Sequence, residues 1–146
     1  DIAFRQNRTE EAFAYYDKAL ENNPQNYGAL NNYSYYLALL GKNLDKAERM
    51  SGEVIKANPD NATYLDTYAW VYFKQGRYSL ARLYLKKALD LSKEASAEMY
   101  EHYGDVLAVT GNESEAVGWW KKAVDAGGDS EILHRKIAEK RYIGNE

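Results

Sequence analysis

Three glycines, Gly41, Gly76 and Gly111, stand 35 residues apart, and the side chains around them repeat with the same period. Ahead of each lies a triplet of large residues: Leu30, Tyr33 and Leu37; Leu65, Tyr68 and Tyr72; Tyr100, Tyr103 and Leu107. Behind each comes a small residue and, four positions on, a second side chain: Ala47/Ser51, Ala81/Leu85 and Ala116/Trp120. Self-similarity at such a period is the signature of a solenoid, in which each unit buries its apolar face only against its neighbours. A chain of this kind builds an extended surface, which turns the functional question from catalysis toward binding.

The central unit shows what each repeat is made of. In Asn61 to Gln75, the residues Leu65, Tyr68 and Tyr72 recur at i, i+3 and i+7, the spacing of one helical face. Asn61 is an N-cap, its side-chain oxygen free to accept from an amide in the first turn. Gly76 takes the left-handed conformation that ends a helix without a Cβ penalty. A second helix follows from about Tyr78 to Leu91, with Leu80, Ala81, Leu85, Ala88 and Leu89 as its apolar stripe. The unit is a helix–turn–helix hairpin, and it recurs on either side. Ala47, Ala81 and Ala116 fall where the two helices cross and permit close approach. Pro24 and Pro59, again 35 apart, follow second helices and forbid their continuation.

These residues resemble the tetratricopeptide repeat (TPR). Tyr103-Gly104 with Leu107, Ala116, Trp120 and Ala123 fit its pattern well. Leu65, Tyr68-Ala69, Tyr72, Ala81, Leu85 and Ala88 fit with small substitutions. Leu30, Tyr33-Ser34, Leu37, Ala47, Val54 and Pro59 are looser, and Ala12, Tyr16, Ala19-Leu20 and Pro24 supply the second half of a repeat. One extra residue lies between Gly41 and Ala47. The resemblance implies an all-α, right-handed solenoid of TPR hairpins closed by a C-terminal capping helix. Its expected divisions are a partial repeat over 1–26, repeats over 27–61, 62–96 and 97–130, and a capping helix and tail over 131–146. Residues 1–6 read as the last turns of a first helix, and the chain as the C-terminal part of a longer bacterial multi-repeat protein. In the final segment, Ile132, Leu133, Ile137 and Ala138 form an apolar stripe, while Arg135, Lys136, Glu139, Lys140 and Arg141 suit a solvated cap.

Composition narrows the function classes. Of 146 residues 45% are apolar, and 19 basic against 22 acidic residues give a net charge of −3. The longest basic runs are pairs, Lys86-Lys87 and Lys121-Lys122, which argues against a nucleic-acid partner. The absence of cysteine removes disulfides and thiolate metal sites. No stretch approaches the roughly 18 apolar residues of a membrane span, and no signal peptide is visible. Cytoplasm and cell envelope fit the composition equally, so the compartment stays open.

No phosphate-binding glycine loop, His-Glu-x-x-His or nucleophile elbow is present, so the sequence points away from an enzyme and from a cofactor. Glu98 and His102 share a helix face at i, i+4, but two ligands make a poor metal site, and none is expected. A second stripe on the first helices is more informative. Thr63, Asp66, Trp70 and Phe73 lie off the packing face, with Gly28, Asn31, Tyr35 and Ala38 one period earlier and Glu98, Glu101, Asp105 and Ala108 one period later. In the TPR family this stripe lines the concave groove that binds peptides, so the resemblance implies that role here. The expected binding residues are Asn31, Tyr35, Asp66, Trp70, Phe73, Lys74, Glu101 and Asp105. Aromatic in the middle and acidic toward the C-terminus, the stripe suits a basic or amphipathic peptide. Only Asn31 and Lys74 stand where a clamp for C-terminal carboxylates would need polar cations and amides. Trp70→Ala is expected to weaken binding and spare helicity.

The sequence therefore reads as a scaffold or adaptor that binds a peptide or protein partner. The alternatives are a structural or regulatory C-terminal region of a larger bacterial protein whose active domain lies upstream, and a module for self-association as a homo-oligomer.

Overall fold

A computed structural model describes residues 2–144. Eight helices run through the described residues, with no strand among them: α1 (Ile2–Asn22), α2 (Tyr27–Leu40), α3 (Leu44–Ala57), α4 (Ala62–Lys74), α5 (Tyr78–Leu91), α6 (Ala97–Val109), α7 (Glu113–Asp125) and α8 (Glu131–Glu139). None is long and apolar enough to cross a membrane. The most extensive packing joins α2 to α3, α4 to α5 and α6 to α7, and these hairpins stack through α3–α4, α2–α4 and α5–α6. The architecture is an all-α solenoid.

The period is written into the hydrogen bonds. Asn26, Asn61, Ser96 and Ser130 each cap a helix by accepting from the amide three residues on, which satisfies one of the orphan donors of the first turn. At the other end, Gly41, Gly76 and Gly111 have φ of 67°, 79° and 90°. Each turn is closed by a bond from the next residue back to the helix: Lys42 to Leu37, Arg77 to Tyr72 and Asn112 to Leu107. The left-handed glycine is what allows that closure. The extra residue of the second turn is absorbed by Asn43, which takes a left-handed φ of 46° before α3.

Leu30, Tyr33, Leu37, Leu65, Tyr72, Tyr103 and Leu107 are buried, as are Ala47, Ala81 and Ala116 at the crossings. Tyr68 and Tyr100 are half-buried, and Tyr68 shares a 2.7 Å hydroxyl–hydroxyl hydrogen bond with Tyr72. Trp120 is fully buried, whereas neighbouring Trp119 lies against Tyr103 with Lys122 over its ring.

The N-terminal end departs from the sequence reading. Residue 1 lies outside the described residues, and residues 2–6 do not close a first helix. The described residues from Ile2 form one continuous helix to Asn22, because position 6 carries glutamine where later repeats carry the turn glycine. Helix α8 stops at Glu139, and Lys140 leaves it with a left-handed φ of 57°. The chain then turns back, which brings Tyr142 to within 5.3 Å of Phe73.

Candidate functional site

The stripe on the first helices becomes a polar and aromatic wall shared by α4 and α6. Trp70 lies flat between Phe73, at 4.4 Å and 6° between the rings, and His102, at 3.9 Å and 17°. On the same imidazole, Nδ1 is 2.8 Å from Asp66 Oδ1, so the ring N–H donates to the carboxylate across one repeat. Burial opposes protonation of His102, but Asp66, Asp105 and Glu98 around the ring together hold its pKa above the ordinary histidine value.

The acidic end of the stripe is already answered from within the chain. Lys136 of α8 reaches Glu101 and Asp105, with its ammonium 2.9 Å from Asp105 Oδ1. The indole N–H of Trp120 donates to the same Asp105 oxygen at 3.1 Å. Burial drives the Asp105 carboxyl up to a pKa of about 6, against the pull of Lys136. Tyr142 covers this corner, 5.4 Å from the Lys136 ammonium, and burial with the nearby carboxylates raises its hydroxyl to about 12.

Between these groups lies an open cavity of about 350 Å³. Of the eight residues expected at the site, Tyr35, Trp70, Glu101 and Asp105 line it. Asp66 sits one step behind, bonded to His102, and Phe73 lies beneath Trp70. Asn31 is buried on α2 with its Oδ1 unpartnered among the described residues. Lys74 is half-buried in the last turn of α4. Neither Asn31 nor Lys74 lines the cavity.

Two expectations change. Trp70 and Phe73 are 4% and 5% exposed and belong to the continuous core, so packing does require them. Lys136, read as part of a solvated cap, is 2% exposed because two carboxylates of α6 draw it inward. The reading also missed His102, Leu133, Lys136 and Tyr142 as walls of the cavity. His102 carried a signal, since it stands one turn after Glu98 on the same face. Tyr142 carried none, because its position depends on where the chain leaves α8.

Family models described as tetratricopeptide repeat match residues 3–71 and 67–131. A TPR repeat-containing protein of Methanocaldococcus jannaschii is 32% identical over 134 residues, covering 92% of this chain and 23% of that protein. One of Pseudomonas aeruginosa is 32% identical over 82 residues, 56% of this chain and 14% of its own length. The chain thus spans less than a quarter of these relatives. Among solved structures, an O-GlcNAc transferase of Thermobaculum terrenum superposes with a TM-score of 0.70 at 21% identity, over 78% of this chain and 22% of that one. YrrB, a TPR protein with an unusual peptide-binding site, gives 0.69 at 18% identity over 86% and 63%. MamA of Desulfovibrio magneticus gives 0.68 at 18% identity over 90% and 70%. The recurring caps, glycine turns and hairpins have the same source as these matches: the chain belongs to the tetratricopeptide repeat family, whose fold is that of a protein–protein interaction module.

Proposed function

We propose that the chain is a non-catalytic adaptor whose groove takes a basic or amphipathic segment of a protein partner. The observation that carries this reading is the cavity beside the Trp70–His102 stack, where an aromatic wall meets an excess of carboxylate. Glu98, Glu101, Asp105 and Asp129 line it against the cation Lys136 and the imidazole His102. Lys136 supplies a precedent from within the chain: an ammonium between carboxylates, with an aromatic ring nearby. A partner's lysine or arginine would find the same chemistry, with Glu98 and Asp129 exposed to receive it. Apolar side chains of the partner would lie on Tyr35 and Leu39 at the rim.

Fluorescence anisotropy with labelled peptides of matched length tests this reading. Peptides carrying lysine and phenylalanine should bind, and their charge-reversed counterparts should not. Affinity should fall with added salt, since exposed charges contribute. Tyr35→Ala and Asp129→Asn should each weaken binding several-fold with the helical circular dichroism unchanged. Equal binding of the charge-reversed peptides, or indifference to both substitutions, would refute it.

A further inference from the structure

One 35-residue period after α6 ends at Val109 falls Gly144, yet α8 stops at Glu139. Neither glycine nor proline stands between Glu139 and Ile143 to end it. Lys140 takes the left-handed turn, at φ 57°, that Gly41, Gly76 and Gly111 take elsewhere. A side chain in that conformation is strained, so contacts further along the tail must hold the turn. Taking the cavity as the partner's groove, as proposed above, we infer that residues 140–143 are its internal occupant. The partner segment that displaces them carries the same pattern: basic residues, then an aromatic, then an aliphatic side chain.

The tail has the composition proposed for the partner. Lys140 and Arg141 are exposed, while Tyr142 and Ile143 line the cavity with Tyr35 and Trp70. The Tyr142 ring stands 5.3 Å from that of Phe73 at 75°, an edge-to-face contact that a partner's aromatic ring repeats without change. The Lys136 ammonium lies 5.4 Å from the same ring and adds a cation to the seat. Ile143 brings an aliphatic side chain to the wall beside it.

These contacts suit exchange. At its root the tail is held by Glu139, whose carboxylate accepts from Arg141 at 2.7 and 3.1 Å. That pair is exposed and contributes little. Tyr142 is therefore the main anchor, and it is only half-buried. Its release uncovers an edge of Phe73 but leaves the Trp70–Phe73 stack and the Lys136 ion pairs intact. Tethered a few residues from α8, the tail competes at an effective concentration on the order of millimolar. The partner's apparent affinity falls by the fraction of molecules in which the tail is open.

A peptide of residues 139–144, and separately the lysine–phenylalanine peptides, are titrated into wild type, Tyr142→Ala and Tyr142→Phe and followed by the tryptophan indole N–H resonances. Tyr142→Ala should take the tail peptide with a dissociation constant on the order of millimolar, about tenfold more tightly than the wild type. The lysine–phenylalanine peptides should gain by a similar factor. Tyr142→Phe, which keeps the ring on Phe73, should match the wild type. The internal occupancy is overturned if Tyr142→Ala binds the tail peptide no better than the wild type does, as a merely structural Tyr142 requires. It is equally overturned if that variant binds the lysine–phenylalanine peptides with unchanged or lower affinity, which would make Tyr142 part of the partner's platform. A wild-type dimer that Tyr142→Ala dissociates would seat the tail in a second copy and overturn it too. Tail-peptide binding as expected, with the lysine–phenylalanine peptides bound by no form, would keep the tail in the groove and refute the proposed class of partner instead.

Discussion

Lys136 places its ammonium 2.9 Å from the carboxylate of Asp105, with both side chains almost wholly buried. The same ammonium reaches Glu101, one 35-residue period earlier in the chain. His102 meets Asp66 across a nearly identical separation of 36 residues. Polar contacts thus join α4 to α6 and α6 to α8 along one line of the solenoid. A buried charge left without its partner is expensive, whereas an intact pair adds little beyond an apolar substitute. The pair is therefore better understood as fixing where α8 docks than as a source of stability.

Lys136→Met is expected to lower stability by about 3 kcal/mol, because it leaves Glu101 and Asp105 facing each other in a buried corner. Adding Asp105→Asn should restore part of that loss. Urea unfolding of the two single variants and the double variant measures the coupling.

Asp105 gives a pH dependence of definite sign. Its folded pKa, about 6, lies above the ordinary 3.8, so between these values the folded state holds a proton that the unfolded chain releases. This residue's contribution is most favourable below pH 3.8 and is lost as pH rises toward 6, by on the order of 3 kcal/mol. Unfolding of wild type and Asp105→Asn at pH 4 and pH 7 checks this. The wild type should lose more stability than the variant on going to pH 7.

Trp70→Ala is expected to cost about 3–5 kcal/mol, the range for removing a large buried aromatic side chain. Phe73 and His102 would each lose a stacked face. Thermal denaturation followed at 222 nm reads this directly, and Trp70→Phe should recover much of the loss.

Gly104 and Trp120 form a size-matched pair. A Cβ at position 104 would stand 2.5 Å from the indole, so Gly104→Ala should destabilise by about 1–3 kcal/mol through overpacking. The preceding repeat holds Ala69 and Leu85 at the equivalent positions. Gly104→Ala with Trp120→Leu should therefore be less destabilised than the sum of the two single changes, as a denaturation cycle would show.

The repeat was legible because it rests on local rules. A left-handed glycine, an N-cap and a triplet at i, i+3 and i+7 act within one helix or one turn, and Gly76, Asn61 and Leu65 announce them at any position in a fold. The second stripe was legible for the same reason, as a face of α4 and α6. What that face meets was not. Trp70 looks exposed when its helix is considered alone, yet the helix one repeat on supplies His102 and the returning tail brings Tyr142 onto Phe73 beside it.

The sequence by itself determined the helices, their caps and turns, the hairpin period and the acidic and aromatic character of one face. Only the tertiary structure decided which of those charges are spent inside the molecule. Lys136 reads as a surface residue within α8 and becomes buried because Glu101 and Asp105 approach from α6. His102 reads as one polar residue on the face of α6 until Asp66 arrives from α4 and bonds its ring. Period and propensity act over a few residues, whereas ion pairing and ring stacking depend on ångström distances between groups about 35 residues apart, which only packing sets.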